Sequence, residues 1–139
     1  MNVIVRDDGF HAEDWAGGFV GVQELASRPF AVGLGLDLPP DAEPDALQDR
    51  LSALALIRIR FEHFTDGRGL TLAARVRRLG YGGRLRAWGN VLAGQYTLAR
   101  RSGFDEVEIC AELARRQPAE HWHFRGNWRH QDYQSRMRA

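Results

Sequence analysis

The sequence contains no lysine: all 19 of its Lys-or-Arg positions are arginine. A GC-rich genome is the plain reading of that bias and selection for bidentate anion binding the alternative; either way every permanent side-chain cation is a planar guanidinium able to grip a carboxylate through two parallel hydrogen bonds. Cysteine is nearly absent as well. Cys110 stands alone, which excludes an intramolecular disulfide, a cysteine-based zinc site and a CxxC redox pair. One unpaired thiol fits a reducing compartment, so a cytoplasmic protein is expected. No apolar run approaches the ~20 residues that cross a bilayer. The start, Met1-Asn2-Val3-Ile4-Val5-Arg6-Asp7-Asp8, lacks the apolar core of a signal peptide, and neither a membrane nor an exported protein is expected. Charge of one sign is missing too: 19 basic residues face 18 acidic ones, a formal net charge of +1. That balance gives no bulk electrostatic reason to bind nucleic acid or an anionic membrane. There is no cysteine cluster for iron–sulfur ligation and no flavin or nicotinamide motif, so no cofactor is expected.

What remains is a chain of 139 residues, 44% hydrophobic, long enough for one domain with one continuous core. Residues 1–29 carry short apolar runs broken by Asp7-Asp8-Gly9 and Gly17-Gly18, which predicts a small hairpin or extended cap. Residues 30–117 alternate between strand and helix patterns. Ala31 to Leu36 reads as a strand before the breaker Leu38-Pro39-Pro40. Pro44 suits a first helical position, and Leu47, Leu51 and Leu54 recur at helical spacing, predicting a helix from Pro44 to about Ala53 and a strand from Leu56 to Phe61. Leu72, Val76 and Leu79 line one face of a second helix that Gly80 ends. Arg84 to Trp88 is the next strand. Asn90 is placed to cap a helix from Val91 to about Arg101, ended by Gly103, and Glu106 to Cys110 forms a further strand with Cys110 as a small core residue. Residues 118–139 form an aromatic tail, helical at first.

Four strands separated by helices imply a parallel βαβ sheet of an α/β fold. Ile57, Ile59, Phe61, Leu85, Ala87, Val107 and Ile109 fall on one face; Arg58, Arg60, Glu62, Arg84, Arg86, Glu106 and Glu108 fall on the other. A sheet covered on both sides reads as nearly continuous apolar strands. The alternation therefore predicts helices mainly on one face, in a half-barrel-like arrangement, with a three-layer flavodoxin-like fold as the alternative. The charged face is either a partly solvated ladder of ion pairs or a polar pocket or covered surface. If covered, a second copy of the chain in a homodimer is the first expectation and the aromatic tail the second.

In parallel α/β folds ligands meet the carboxyl ends of strands, where helix N-termini present free N–H groups. Two loops qualify. Glu62-His63-Phe64-Thr65-Asp66-Gly67-Arg68-Gly69 is either a tight turn closed by Asp66 or an anion site in which Arg68 supplies a forked donor. Trp88-Gly89-Asn90 is the second. Neither has the spacing of a P-loop or a dinucleotide fingerprint. His121 and His123 would share a face of an extended segment, with His130 beyond, but no third metal ligand stands at a recognised spacing, so no metal is expected. Trp122, Phe124, Trp128 and Tyr133 suit apolar cover better than base stacking.

The stretch from Phe61 through Asp66-Gly67-Arg68-Gly69, then Leu79-Gly80-Tyr81-Gly82-Gly83-Arg84-Leu85-Arg86-Ala87-Trp88-Gly89-Asn90-Val91-Leu92, then Gln95 and Gly103-Phe104-Asp105, resembles the bacterial domain of unknown function 934 family, most closely over Leu54 to Ile109. Tyr133-Gln134 matches the family's usual pair near the C-terminus. The resemblance implies a gene beside assimilatory sulfite reductase and a role in sulfite reduction, with sulfite reductase or other sulfate-assimilation proteins as partners. It supplies no catalytic residues. The family pattern has Asp where this chain has Asn90, Asp where it has Gly94 and Cys where it has Ser102, so a mechanism that needed those groups is unsupported here. Asp66, Gly67, Arg68, Gly69, Arg86, Asn90 and Gln95 form the candidate anion or ligand site, with Asp66, Arg68 and Arg86 as its polar centre. Two functions follow: an accessory or interaction protein of assimilatory sulfite reduction without a redox cofactor, or a small enzyme or binding domain for an anionic sulfur metabolite.

Overall fold

A computed structural model describes residues 2–27, 33–63 and 67–125. Its strands are β1 (Val3–Arg6), β2 (Gly9–His11), β3 (Leu34–Leu38), β4 (Leu54–Phe61), β5 (Arg84–Gly89) and β6 (Glu106–Ile109). The α-helices are α1 (Val22–Ser27), α2 (Arg68–Arg78), α3 (Tyr96–Ser102), α4 (Ala111–Arg116) and α5 (Ala119–Arg125), with 3-10 turns at Pro44–Ala53 and Ala93–Gln95. The six strands form one sheet in the order β2-β1-β6-β5-β4-β3. β3 to β6 run parallel in chain order, Ile59 opposite Ala87 and Ala87 opposite Val107. β1 then adds antiparallel to β6, with Val3 opposite Ile109, and β2 adds antiparallel to β1.

The apolar face is built as the alternation predicts. Ile57, Ile59, Leu85, Ala87, Val107 and Ile109 are fully buried, in one cluster with Leu72, Ala73 and Val76 of α2 and Tyr96 and Ala99 of α3. Burying each large aliphatic side chain stabilises the fold by roughly 1.5–3 kcal/mol. Trp122 of α5 joins this side, its ring edge-on to Tyr96 with centroids 5.9 Å apart.

Several expectations need correction. The sheet is neither closed nor curled and has two edges, so the architecture is an open mixed sheet flanked by helices rather than a half-barrel. The strand expected from Ala31 starts at Leu34 in the described residues; Ala31 and Val32 lie outside them. The Pro44–Ala53 segment has the expected bounds but winds as a 3-10 helix. Asn90 caps no helix: Gly89, at φ 109°, turns the chain, the Asn90 side-chain amide donates to the Glu62 carbonyl at 2.7 Å, and helical structure begins only at Ala93. Cys110 is exposed, because β6 ends at Ile109 and Cys110 is already the N-cap of α4.

The charged face also differs from expectation. Residues 12–21 run from β2 across this face to the far edge, where Val20 makes a parallel bridge with Leu36; its N–H donates to the Gly35 carbonyl and its carbonyl accepts from the Asp37 N–H, both at 2.9 Å. This strap lies so close that a Cβ on Gly35 would stand 2.6 Å from the Gly18 carbonyl oxygen and 2.9 Å from Trp15 Nε1. The chain's own N-terminal region therefore covers part of this face, over Gly35, Arg58 and Arg86. Trp128, His130, Tyr133 and Gln134 of the tail lie outside the described residues.

Candidate functional site

At the carboxyl ends of β3 and β4 the chain leaves the sheet on either side of a cleft of about 610 Å³, lined by Pro40 to Glu43 on one wall and Gly67, Arg68, Thr71, Leu72 and Arg75 of the α2 start on the other. Gly67 is the N-cap of α2 and offers no side chain to its first N–H groups; the Thr71 N–H and hydroxyl both turn back to the Gly67 carbonyl, at 3.2 and 3.4 Å. The unsatisfied N–H groups of a helix start and its positive dipole end favour an anion. Arg68 lies 3.8 Å from the Glu62 carboxylate. Arg75 reaches across the cleft to Glu43 and Asp45 at 3.3 and 3.2 Å, which holds the walls together.

The seven residues singled out in the sequence separate in space. Gly67 and Arg68 line the cleft. Asn90 is tied to Glu62, which in turn faces Arg68. Gly69 is buried, and a Cβ there would stand 2.7 Å from the Phe61 ring, so it serves close packing of α2 on β4. Gln95 uses its side-chain oxygen to accept the Leu92 N–H at 2.8 Å. Asp66 lies outside the described residues. Arg86 does not line the cleft; it is fully buried on the strap-covered face.

There Arg86 donates from Nε to Glu106 at 2.6 Å, from Nη1 to Glu108 at 2.9 Å, and from Nη1 and Nη2 to Glu13 of the strap at 2.7 and 3.0 Å. Burial disfavours its charge, but Glu13 and Glu106 outweigh that and raise its pKa. Burial likewise pushes Glu13 up, while hydrogen bonds from Arg86 and the Trp15 N–H overcome it and hold the carboxyl below its ordinary range. Beside this pair, Asp14 accepts from Arg6 Nη2 at 2.8 Å and Arg84 Nη2 at 2.9 Å. The bond from Arg6, opposed by burial and joined by the bond from Arg84, brings Asp14 down to about 2. Further along, the Arg58 guanidinium is sandwiched 3.9 Å from the Phe19 ring centroid and 4.1 Å from that of Trp88, and it pairs with Asp37 at 2.9 Å. The Trp88 indole N–H has no hydrogen-bond partner among the described residues, so what Trp88 contributes is its ring face.

The family model described as bacterial protein of unknown function (DUF934) matches residues 35–139. The chain belongs to this family. No curated protein and no solved structure matches it. The DUF934 span takes in every residue lining the cleft, together with Arg84, Arg86, Glu106 and Glu108, whereas Arg6, Glu13, Asp14 and Phe19 precede it. Sequence reasoning passed over those four. Their signal was an adjacent acid pair between aromatic residues in a segment without periodicity, in a chain whose charged strand face is rich in arginine.

Among the described residues no group of three or more His, Cys, Asp and Glu side chains is placed to hold a metal, and no helix is long and apolar enough to cross a membrane. His121 is exposed. A second, smaller cavity of about 320 Å³ lies at the end of the strap, between Phe19 to Gly21, Asp37 to Pro39 and Arg60; its charged walls are already paired, Asp37 with Arg58 and Arg60 with Glu62 at 2.9 Å.

Proposed function

We propose that this protein is an accessory or interaction protein of assimilatory sulfite reduction that carries no redox centre of its own. The observation that carries the reading is membership of DUF934 over residues 35–139, the family whose genes the resemblance sets beside assimilatory sulfite reductase. A six-electron reduction needs electron carriers, and a chain with one cysteine cannot ligate an iron–sulfur cluster by itself. Its partner on this reading is sulfite reductase or another sulfate-assimilation protein. Deleting the gene and growing the strain on sulfate, sulfite, sulfide or cysteine as sole sulfur source tests the assignment. Growth on sulfide and cysteine but not on sulfate or sulfite is the expected result; growth equal to the parent strain on all four contradicts it.

The cleft favours a second reading, a small domain that binds an anionic sulfur metabolite. Arg68 would hold the anion beside the first N–H groups of α2, with Thr71 at the same wall. Arg86, grouped with Arg68 in the sequence, takes no part. Calorimetric titration with sulfite, sulfate and adenylyl sulfate separates the two readings: heat lost on Arg68→Ala supports the binding domain, and no heat from any of them supports the accessory role.

A further inference from the structure

The strap-covered face holds a second cluster of guanidinium groups, at the amino ends of β5 and β6 and so at the opposite end of these strands from the cleft. Glu106, almost wholly buried, lies beneath three arginines: it accepts from Arg6 Nε at 3.2 Å, Arg84 Nη2 at 2.8 Å and Arg86 Nε at 2.6 Å. Asp14 lies against the same three from the strap, at 2.8 Å from Arg6, 2.9 Å from Arg84 and 3.8 Å from Arg86. One carboxylate of the sheet and one of the strap therefore enclose three guanidinium groups.

Burial assigns different roles to the two carboxylates. Arg86 is held by Glu13, Glu106 and Glu108. Arg6 and Arg84 share only Glu106 within the sheet, and Asp14, from the strap, is the second carboxylate that each of them meets. Glu106 is locked in place by burial, but Asp14 is 48% exposed and Arg6 and Arg84 are each about a third exposed, at 31% and 32%. Solvent reaches this side of the cluster, and so would a small solute. Among the described residues the strap's backbone first bonds the sheet at Val20, six positions beyond Asp14. The Asp14 carboxylate is thus held here by side-chain contacts, beside the Glu13–Arg86 pair, and not by strap backbone bonded to the sheet.

We propose that Arg6, Arg84 and Arg86 form an oxyanion site that the chain's own Asp14 plugs, and that a free tetrahedral oxyanion such as sulfate or phosphate competes with Asp14 and loosens the strap. Forked N–H donors set around one acceptor suit a tetrahedral dianion at least as well as a carboxylate. A tethered competitor acts at high effective concentration, so it weakens the binding of a free anion without abolishing it. This site is independent of the cleft and of the pathway assignment.

Titrating sodium sulfate and sodium phosphate into the full chain, with sodium chloride at matched ionic strength as the control, tests the proposal. Asp14→Asn is expected to bind sulfate or phosphate saturably and about tenfold more tightly than the parent chain, because the tethered competitor is gone. Adding Arg84→Gln, or Arg6→Gln if the first does not fold, abolishes that binding, whereas adding Arg68→Ala leaves it intact. In the parent chain saturating sulfate increases cleavage by protease within residues 15–18 relative to chloride. The proposal is overturned if Asp14→Asn binds neither anion saturably, if binding survives both cradle substitutions, or if it disappears with Arg68→Ala, which would place the anion in the cleft.

Discussion

The two faces of one sheet are closed by different physics. On the helix side Ile59, Leu85 and Val107 are covered by apolar side chains of α2 and α3, and any residue of the right volume can share that work. On the strap side Arg86 is just as completely buried, but its environment is a set of carboxylates at fixed distances. Apolar burial is proportional to area and has no direction, whereas a buried charge depends on named partners, and removing one leaves another exposed to the low-dielectric interior. The same strand carries both: Leu85 and Arg86 are neighbours in sequence and sit on opposite faces.

Methionine at each of these neighbours separates the two faces most strongly. Arg86→Met leaves Glu106 and Glu108 buried against a side chain that cannot donate, and is expected to cost about 3–5 kcal/mol in urea denaturation. Leu85→Met keeps volume and polarity and should cost less than about 1.5 kcal/mol. Equal costs would mean that the faces do not differ in kind. Gly35→Ala comes next, at about 1–3 kcal/mol, because its Cβ would meet the strap backbone; a neutral result would show that the strap lies farther from the sheet than 2.6 Å implies.

The pH limits of stability should also divide between the faces. Burial raises Tyr81 of the core cluster to about 12 from an ordinary 10. Its contribution is therefore complete below pH 10 and is lost as pH rises toward 12, a loss that Tyr81→Phe should remove. Asp14 is depressed from 3.8 to about 2, so its contribution is present above about pH 4 and is lost as pH falls through that window; Asp14→Asn should flatten this acid limb and leave the alkaline one unchanged. The smallest effect is Asp14→Asn at neutral pH. Its partners are partly exposed, so the change should cost about 0.2–1 kcal/mol and should shrink in 1 M salt.

Much of the parallel core was legible because its signals are local. The alternation in β4 to β6 sorted Ile59 from Arg58 and Val107 from Glu106, and Pro44 and Gly103 marked helix limits that the structure keeps. The antiparallel placement of β1 was not legible, because Val3 meets Ile109 across almost the whole described chain and no local pattern records such a pairing. The strap has no periodicity either, so Glu13 and Asp14 read as loop residues. Asn90 followed a glycine at a strand end, where a turn and a helix cap have the same composition. As for the site, strand register placed Arg86 opposite Glu106, toward the amino ends of β5 and β6, while Arg68 follows the carboxyl end of a strand. The same alternation that identified Arg86 could have removed it from the cleft.

The carboxylates of Glu13 and Asp14 hold the strap on the charged face. Hydrogen exchange at the strap's backbone junction with β3 tests this: the Val20 and Asp37 amides, bonded across that junction at 2.9 Å, against the amides of Ile57 and Ile59 in the middle of the sheet. In Glu13→Gln/Asp14→Asn, exchange at Val20 and Asp37 is expected to be at least about tenfold faster than in the parent chain, corresponding to about 1.4 kcal/mol of lost local stability, with β4 unchanged. Val20 and Asp37 amides as protected in the double variant as in the parent would contradict it.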